Sequence, residues 1–215
     1  MNSSQLDIIG HRDEQKRNDM THFKEVALAH ASRLINHGPT VLVTSAHGTA
    51  RNVMAAAWSM PVEFTPPRIA IVIDKKTYTR ELIAASGGFG VCIPCTTLAG
   101  VTHAVGSESG RSVDKFAQYG LKARTGPVLG MPLLEDGCAA WLECRLISEP
   151  HTEDAYDTCF AEVVAAAADE RVFQNGHWRF ADDNLDLQTI HHLGGGNFVR
   201  PAGMFYAGDG AVKMP

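Results

Sequence analysis

Residues Lys75-Lys76-Thr77-Tyr78-Thr79 gather two cations and two threonine hydroxyls within five positions. The sequence predicts a helix over Tyr78–Ser86, with Thr77 as its N-cap and Gly87-Gly88 closing it. A helix start carries unpaired backbone N–H groups and the positive end of the helix dipole. Lysines and hydroxyls added to such a start make a phosphate site. Upstream, Asn52-Val53-Met54-Ala55-Ala56-Ala57-Trp58 offers a different chemistry. Three consecutive alanines let a flat ring approach the backbone closely, and Trp58 can stack on a ligand or wall its pocket. The same residues also fit a capped helix with two solvated lysines beside a buried Ala-rich strand.

Other candidate groups point less far. Cys92-Ile93-Pro94-Cys95 has the spacing of a dithiol, where one lowered thiol pKa would permit disulfide exchange. No thioredoxin-like βαβ pattern surrounds it, and two buried thiols are the expectation. The ten histidines show no metal-ligand spacing, so no metal site is assigned. Gly194-Gly195-Gly196 lacks the preceding strand and following helix of a dinucleotide fingerprint. Ser45 and Ser59 lack the context of an acyl-transfer nucleophile.

The elements that must position these groups are short. Apolar positions over 22–37 fall at helical spacing, and Gly38-Pro39 ends that helix. Strands are predicted over 40–46, 68–74, 89–93 and 140–148, and short helices over 98–105 and 113–119. Residues 159–168 are ambiguous: the alanines favour helix, while Phe160, Val163 and Val164 suit a strand. From Asn184 onward the tail reads as a Gly-rich loop. Many short strands with a few helices predict one β-barrel domain over 21–215, preceded by a polar extension over 1–20. An ordered tail of that kind would pack on a neighbouring subunit.

The bulk properties exclude several classes. The 215 residues carry 45% apolar and 20% charged side chains, which suits a globular core. A net charge of −5 argues against a nucleic-acid partner. No apolar run approaches the ~18 residues of a membrane span, and the first twenty residues lack a signal-peptide core. The expectation is a cytoplasmic protein with no membrane partner.

The order of the motifs carries a family resemblance. Gly38-Pro39-Thr40-Val41-Leu42-Val43-Thr44 precedes the Asn52 to Trp58 segment, and Pro66-Pro67 precedes Thr77-Tyr78-Thr79. Then come Phe89 to Pro94, Ser109-Gly110 with Asp114-Lys115-Phe116, and His192-Leu193-Gly194-Gly195-Gly196-Asn197-Phe198. In this order, over residues 22–205, the chain resembles the flavin reductase-like family with the FMN-binding split-barrel fold, nearest its flavoredoxin-type branch. Two places depart from the family pattern. Asp154 to Asp157 and Ala161-Glu162 replace a Gly-Asp-His-type turn and a Gly-Glu pair, and Cys92 stands where Asn is frequent.

The resemblance implies a mainly β, six-stranded antiparallel Greek-key split barrel with flanking helices. It implies FMN as cofactor and NADH or NADPH as donor of a hydride to flavin N5. Asn52, Val53, Met54, Ala55, Ala56 and Trp58 would border the flavin. Lys76, Thr77 and Thr79 would hold its phosphate, with Tyr78 at the ribityl chain or ring. Cys92, Ile93 and Pro94 would form the next wall, and Ser109 and Gly110 would donate from their loop. The tail around Gly194 to Phe198 would cover the ring. The implied partners are a second copy, forming a homodimer, and an electron-acceptor protein. No acid–base catalytic residue is assigned, because the cofactor carries the chemistry. Two alternatives stay open: an electron carrier without NAD(P)H activity, and a non-flavin or haem-binding barrel.

Overall fold

The computed structural model describes residues 22–35, 37–201 and 204. The predicted extension over 1–20 and the end of the chain lie outside these residues. One sheet organises the molecule. Its strands are β1 (Phe23–Glu25), β2 (Val41–His47), β3 (Ala50–Ala56), β4 (Ser59–Phe64), β5 (Pro67–Val72), β6 (Gly88–Pro94), β9 (Cys138–Ile147) and β10 (Thr158–Asp169). The order is β3-β2-β6-β9-β10-β5-β4, with β1 also pairing β10, and every ladder is antiparallel. Short strands β7 (Ala123–Thr125) and β8 (Pro132–Leu134) pair with each other, as do β11 (Phe173–Gln174) and β12 (His177–Trp178). The mainly β, antiparallel split-barrel class holds, but the sheet has eight strands rather than six, because β1 and the Pro-interrupted β4 join it.

The helices are α1 (Leu28–Ala31), α2 (Tyr78–Ser86), α3 (Ala99–Ser107), α4 (Lys115–Gln118) and α5 (Pro150–Tyr156). α2 has the predicted span. Thr77 caps it by accepting the Arg80 N–H, and Gly87 ends it in the left-handed region at φ 72°. It carries the chain from β5 back across the sheet to β6.

Two expectations change, and the ambiguous segment is resolved. Residues 22–37 do not form one helix. Phe23, Lys24 and Glu25 pair with Asp169, Ala168 and Ala167, and only four α-helical residues and a 3₁₀ turn follow. Ala31, Leu34 and Ile35 are nonetheless fully buried, so the apolar spacing marks the core correctly. The Ala-rich ambiguous segment is strand β10. It lies between β9 and β5, and pairing on both edges overrides the helical preference of alanine. The tail forms a hairpin of β13 (His191–Gly194) and β14 (Asn197–Val199), turned by glycines at φ 100°, 59° and 79°. Among the described residues no helix is long and apolar enough to cross a membrane.

A half-buried histidine ties the hairpin to the body. The His37 ring packs edge-on to Trp178 at 5.1 Å and to His191 at 5.6 Å. Its Nε2 lies 2.9 Å from Thr189 Oγ1. Burial, with His191 adding to it, pushes the His37 imidazole down from 6.5 to about 4. The unfolded chain therefore takes up this proton before the folded one does, and stability is lost as pH falls from 6.5 through about 4. Urea unfolding at pH 7.5, 5.5 and 4.5 is expected to show that decline. The decline flattens in His37→Phe; an equal slope in both proteins would contradict the assignment.

Candidate functional site

Two cavities meet along β3. The first, of about 340 Å³, is bounded by Asn52 and Met54 of β3, the start of α2, and the loop running from α3 through Ser109 and Gly110. At the helix start the chain turns on Asp74, whose carboxylate accepts the Lys76 N–H at 2.8 Å. The Asp74 carbonyl takes the Thr77 hydroxyl proton at 2.8 Å. Thr77 Oγ1 accepts from Arg80 N as well, so it has no proton left for a ligand. The amides of Tyr78 and Thr79, the first two helical residues, are not taken by that cap. Thr79 is fully buried and accepts from Asn52 Nδ2 at 2.9 Å, which leaves its own hydroxyl proton to donate. Gly110 closes against Asn52: a Cβ there would lie 2.1 Å from Asn52 Oδ1.

The floor of this cavity is a buried cation. Lys115, 3% exposed, begins α4 and donates from Nζ to the carbonyls of Val53 at 2.9 Å and Val105 at 2.7 Å. An ammonium carries three protons, so one remains. Burial lowers the Lys115 pKa from its ordinary value, and nearby Glu108 opposes that shift. Lys76 supplies a second, exposed cation. Lys75 turns away. Its ammonium lies 3.8 Å from Asp157 and bonds the Asp154 carbonyl, and its N–H donates to Asp157 Oδ1 at 3.1 Å. The departing Asp154 to Asp157 segment thus fixes the approach to α2.

The second cavity, of about 260 Å³, shares Gly106 and Ser107 with the first. Its wall is Ala55, Ala56 and Ala57, with Thr40 and Thr102. His103 of α3 and His192, Gly195, Gly196 and Phe198 of the β13–β14 hairpin stand around it. The pair therefore forms one groove, with cations and free donors at one end and a narrow uncharged slot at the other. A phosphate attached to a planar ring fits that polarity.

Comparison with known proteins gives the family. The profile of the flavin reductase like domain family matches residues 33–183. The chain belongs to the flavin reductase-like family. It is 57% identical over 182 residues to the uncharacterized protein YddH of Escherichia coli (strain K12), covering 84% of this chain and 95% of that one. It also resembles the crystal structure of an FMN-binding domain of a flavin reductases-like enzyme from Shewanella baltica OS155. There the identity is 41%, the TM-score 0.83, and the match covers 86% of this chain and 97% of the other. The flavoredoxin of Desulfovibrio vulgaris (Miyazaki F) shares the fold, at 24% identity and a TM-score of 0.68, over 81% and 92% of the two chains.

Within this flavin reductase-like chain, Asn52, Met54, Lys76, Thr77, Tyr78, Thr79, Ser109 and Gly110 are brought to the first cavity, and Ala55 and Ala56 to the second. Val53 is buried and reaches the site only through its carbonyl on Lys115. Cys92, Ile93 and Pro94 line neither cavity. All of β6 is buried and paired with β2 and β9, which consumes its edges. Trp58 also lies off both cavities, 74% exposed between β3 and β4.

The Cys92 and Cys95 thiols are free and buried, in separate apolar clusters. Burial pushes each up to about 12, so neither is the lowered thiol a redox pair needs. The sequence reading missed Lys115, Thr40, Thr102, His103 and His192. Lys115 had a signal in its place beside Phe116 in an apolar turn, where a lysine needs buried acceptors.

Proposed function

We propose that the chain binds FMN non-covalently along this groove and accepts a hydride from NADH or NADPH at flavin N5. The observation that carries the reading is the juxtaposition of the Lys115, Lys76 and Thr79 donors with the slot walled by Ala55, Ala56 and Ala57. Lys115 and Thr79 would hold the phosphate from below, with the amides of Tyr78 and Thr79 at its side. The alanines would admit the ring edge to the β3 backbone, and Phe198 would shield it from water. FMN, when bound, supplies two-electron chemistry that no side chain here can perform. Thr102 fits this occupant: it is fully buried on the slot, and its hydroxyl has no hydrogen-bond partner among the described residues.

The visible spectrum tests the reading. The purified protein is expected to be yellow, and to bleach anaerobically with NADH or NADPH. Colour without bleaching would make it an electron carrier. A colourless protein that FMN does not restore, or a Soret band, would refute flavin binding. Replacing Lys76 and Thr77 together by alanine is expected to weaken FMN retention in equilibrium dialysis and to keep the fold. The lost cap lowers stability by about 1 kcal/mol.

The same reading includes a homodimer. Trp58, just before β4, and Met60, Val62 and Phe64 on it are exposed, and β4 ends the sheet with an edge that no strand among the described residues pairs. A second copy seated there would stand beside Ala57 and the slot. Sedimentation velocity is expected to show a dimer that Phe64→Asp converts to monomer; a monomeric wild type would exclude it.

A further inference from the structure

The slot holds a feature that FMN binding alone does not require. Among the described residues, His103 and His192 are the only titratable side chains that line it, and both are exposed at its mouth. They come from different elements. His103 lies on α3, with its ring against the hairpin turn: a Cβ on Gly196 would sit 3.4 Å from its Nε2. Gly196 holds φ 79°, a backbone conformation that favours glycine, and this shapes the turn that meets the ring. His192 lies on β13, fixed by donation of its N–H to Thr40 Oγ1 at 2.9 Å, with its ring 5.1 Å from Phe198. The charged groups near the groove, Lys76, Lys115 and Glu108, face the neighbouring cavity. The hairpin's other imidazole, His191, faces His37 instead. The unpaired Thr102 hydroxyl on the same wall marks the slot independently as a place where a ligand completes the hydrogen bonding.

A flavin ring that takes up a hydride gains one proton and two electrons, and so one negative charge. In an otherwise uncharged slot that charge is costly unless a counter-charge forms beside it. Imidazole is the side chain whose ordinary titration allows it to take a proton from water near neutral pH. We propose that His103 and His192 act as a paired counter-ion that favours the reduced, anionic ring over the oxidised ring. One proton from solvent moves onto the imidazoles for each hydride delivered by the nicotinamide, so charge balances at the slot. This inference rests on the FMN reading, and it assigns the two histidines as tuning residues that take no part in hydride transfer itself.

The test compares dissociation constants for oxidised and reduced FMN in wild type and in His103→Gln/His192→Gln, with anaerobic spectroelectrochemistry on the bound flavin. The variant is expected to keep the wild-type fold by circular dichroism and to lose more affinity for reduced than for oxidised FMN. Its preference for reduced FMN should fall about tenfold, which for a two-electron couple lowers the midpoint potential by about 30 mV. The single change His192→Gln should give an intermediate fall. His177→Gln, on exposed β12 away from the groove, should give none. An unchanged ratio in the double variant would overturn the proposal while leaving the FMN reading intact. Failure of wild type to bind FMN would remove both, and is seen before any variant is made.

Discussion

Lys115→Met is expected to raise the dissociation constant for FMN by between tenfold and a hundredfold, and to leave riboflavin binding nearly unchanged. The lysine is the buried cation of the cavity proposed to hold the phosphate, and its third proton is the one not given to Val53 or Val105. A charge-assisted hydrogen bond in such a place is worth about 1.5–3 kcal/mol, and 1.4 kcal/mol is a factor of ten. Methionine keeps the length and apolar stem of the side chain but cannot donate. The carbonyls of Val53 in β3 and Val105 in α3 then lose their donor, at about 1–3 kcal/mol each. The apo protein should therefore also melt earlier. Riboflavin separates the two effects, because it carries the ring without the phosphate. A matching loss for riboflavin would mean that Lys115 only braces β3 against α3. Fluorescence quenching titrations with the two ligands decide the matter.

The second large effect lies away from the groove. Glu143 is fully buried in β9, where an unpaired carboxylate would be prohibitive. It accepts three backbone N–H groups, from Val128 at 2.8 Å, Leu129 at 2.9 Å and Met131 at 3.1 Å. These hold the loop between β7 and β8, and Gly126 lies so close that a Cβ would meet Glu143 Oε1 at 2.0 Å. Glu143→Ala removes the acceptor of all three amides and opens a cavity. The expected loss is about 3 kcal/mol or more, a fall in Tm of roughly 6–12 °C for a chain of this size. Glu143→Gln, which keeps one acceptor oxygen, should lose less. Hydrogen exchange at residues 128, 129 and 131 should accelerate in the alanine variant. FMN affinity measured well below the melting point should change less than threefold, since Glu143 touches neither cavity.

The sequence by itself determined much of this protein. Local signals placed α2: a threonine cap at one end and a left-handed glycine at the other act within a few residues and need no partner. The β-branched run Val41 to Thr44, the alanines at Ala55 to Ala57 and the ordered motifs set the antiparallel class and the family. They also placed Lys76, Thr79, Ser109 and Gly110 at one cavity.

Only the tertiary structure decided features that depend on residues far apart in sequence. Alanine-rich β10 is a strand because β5 and β9 pair with both its edges, and Phe23 to Glu25 extend rather than coil because β10 offers an edge. Lys75 and Lys76 are neighbours, yet Asp157 draws one away and leaves the other at the cavity. Cys92, Ile93 and Pro94 look like a pocket wall in the motif, but strands on both sides bury them. Lys115 and His192 become site residues only when α4 reaches β3 and the tail folds back over α3, because the contacts that give them a role span tens of residues. Local propensity fixes what a segment can be, while long-range pairing and burial fix which face of it meets the ligand.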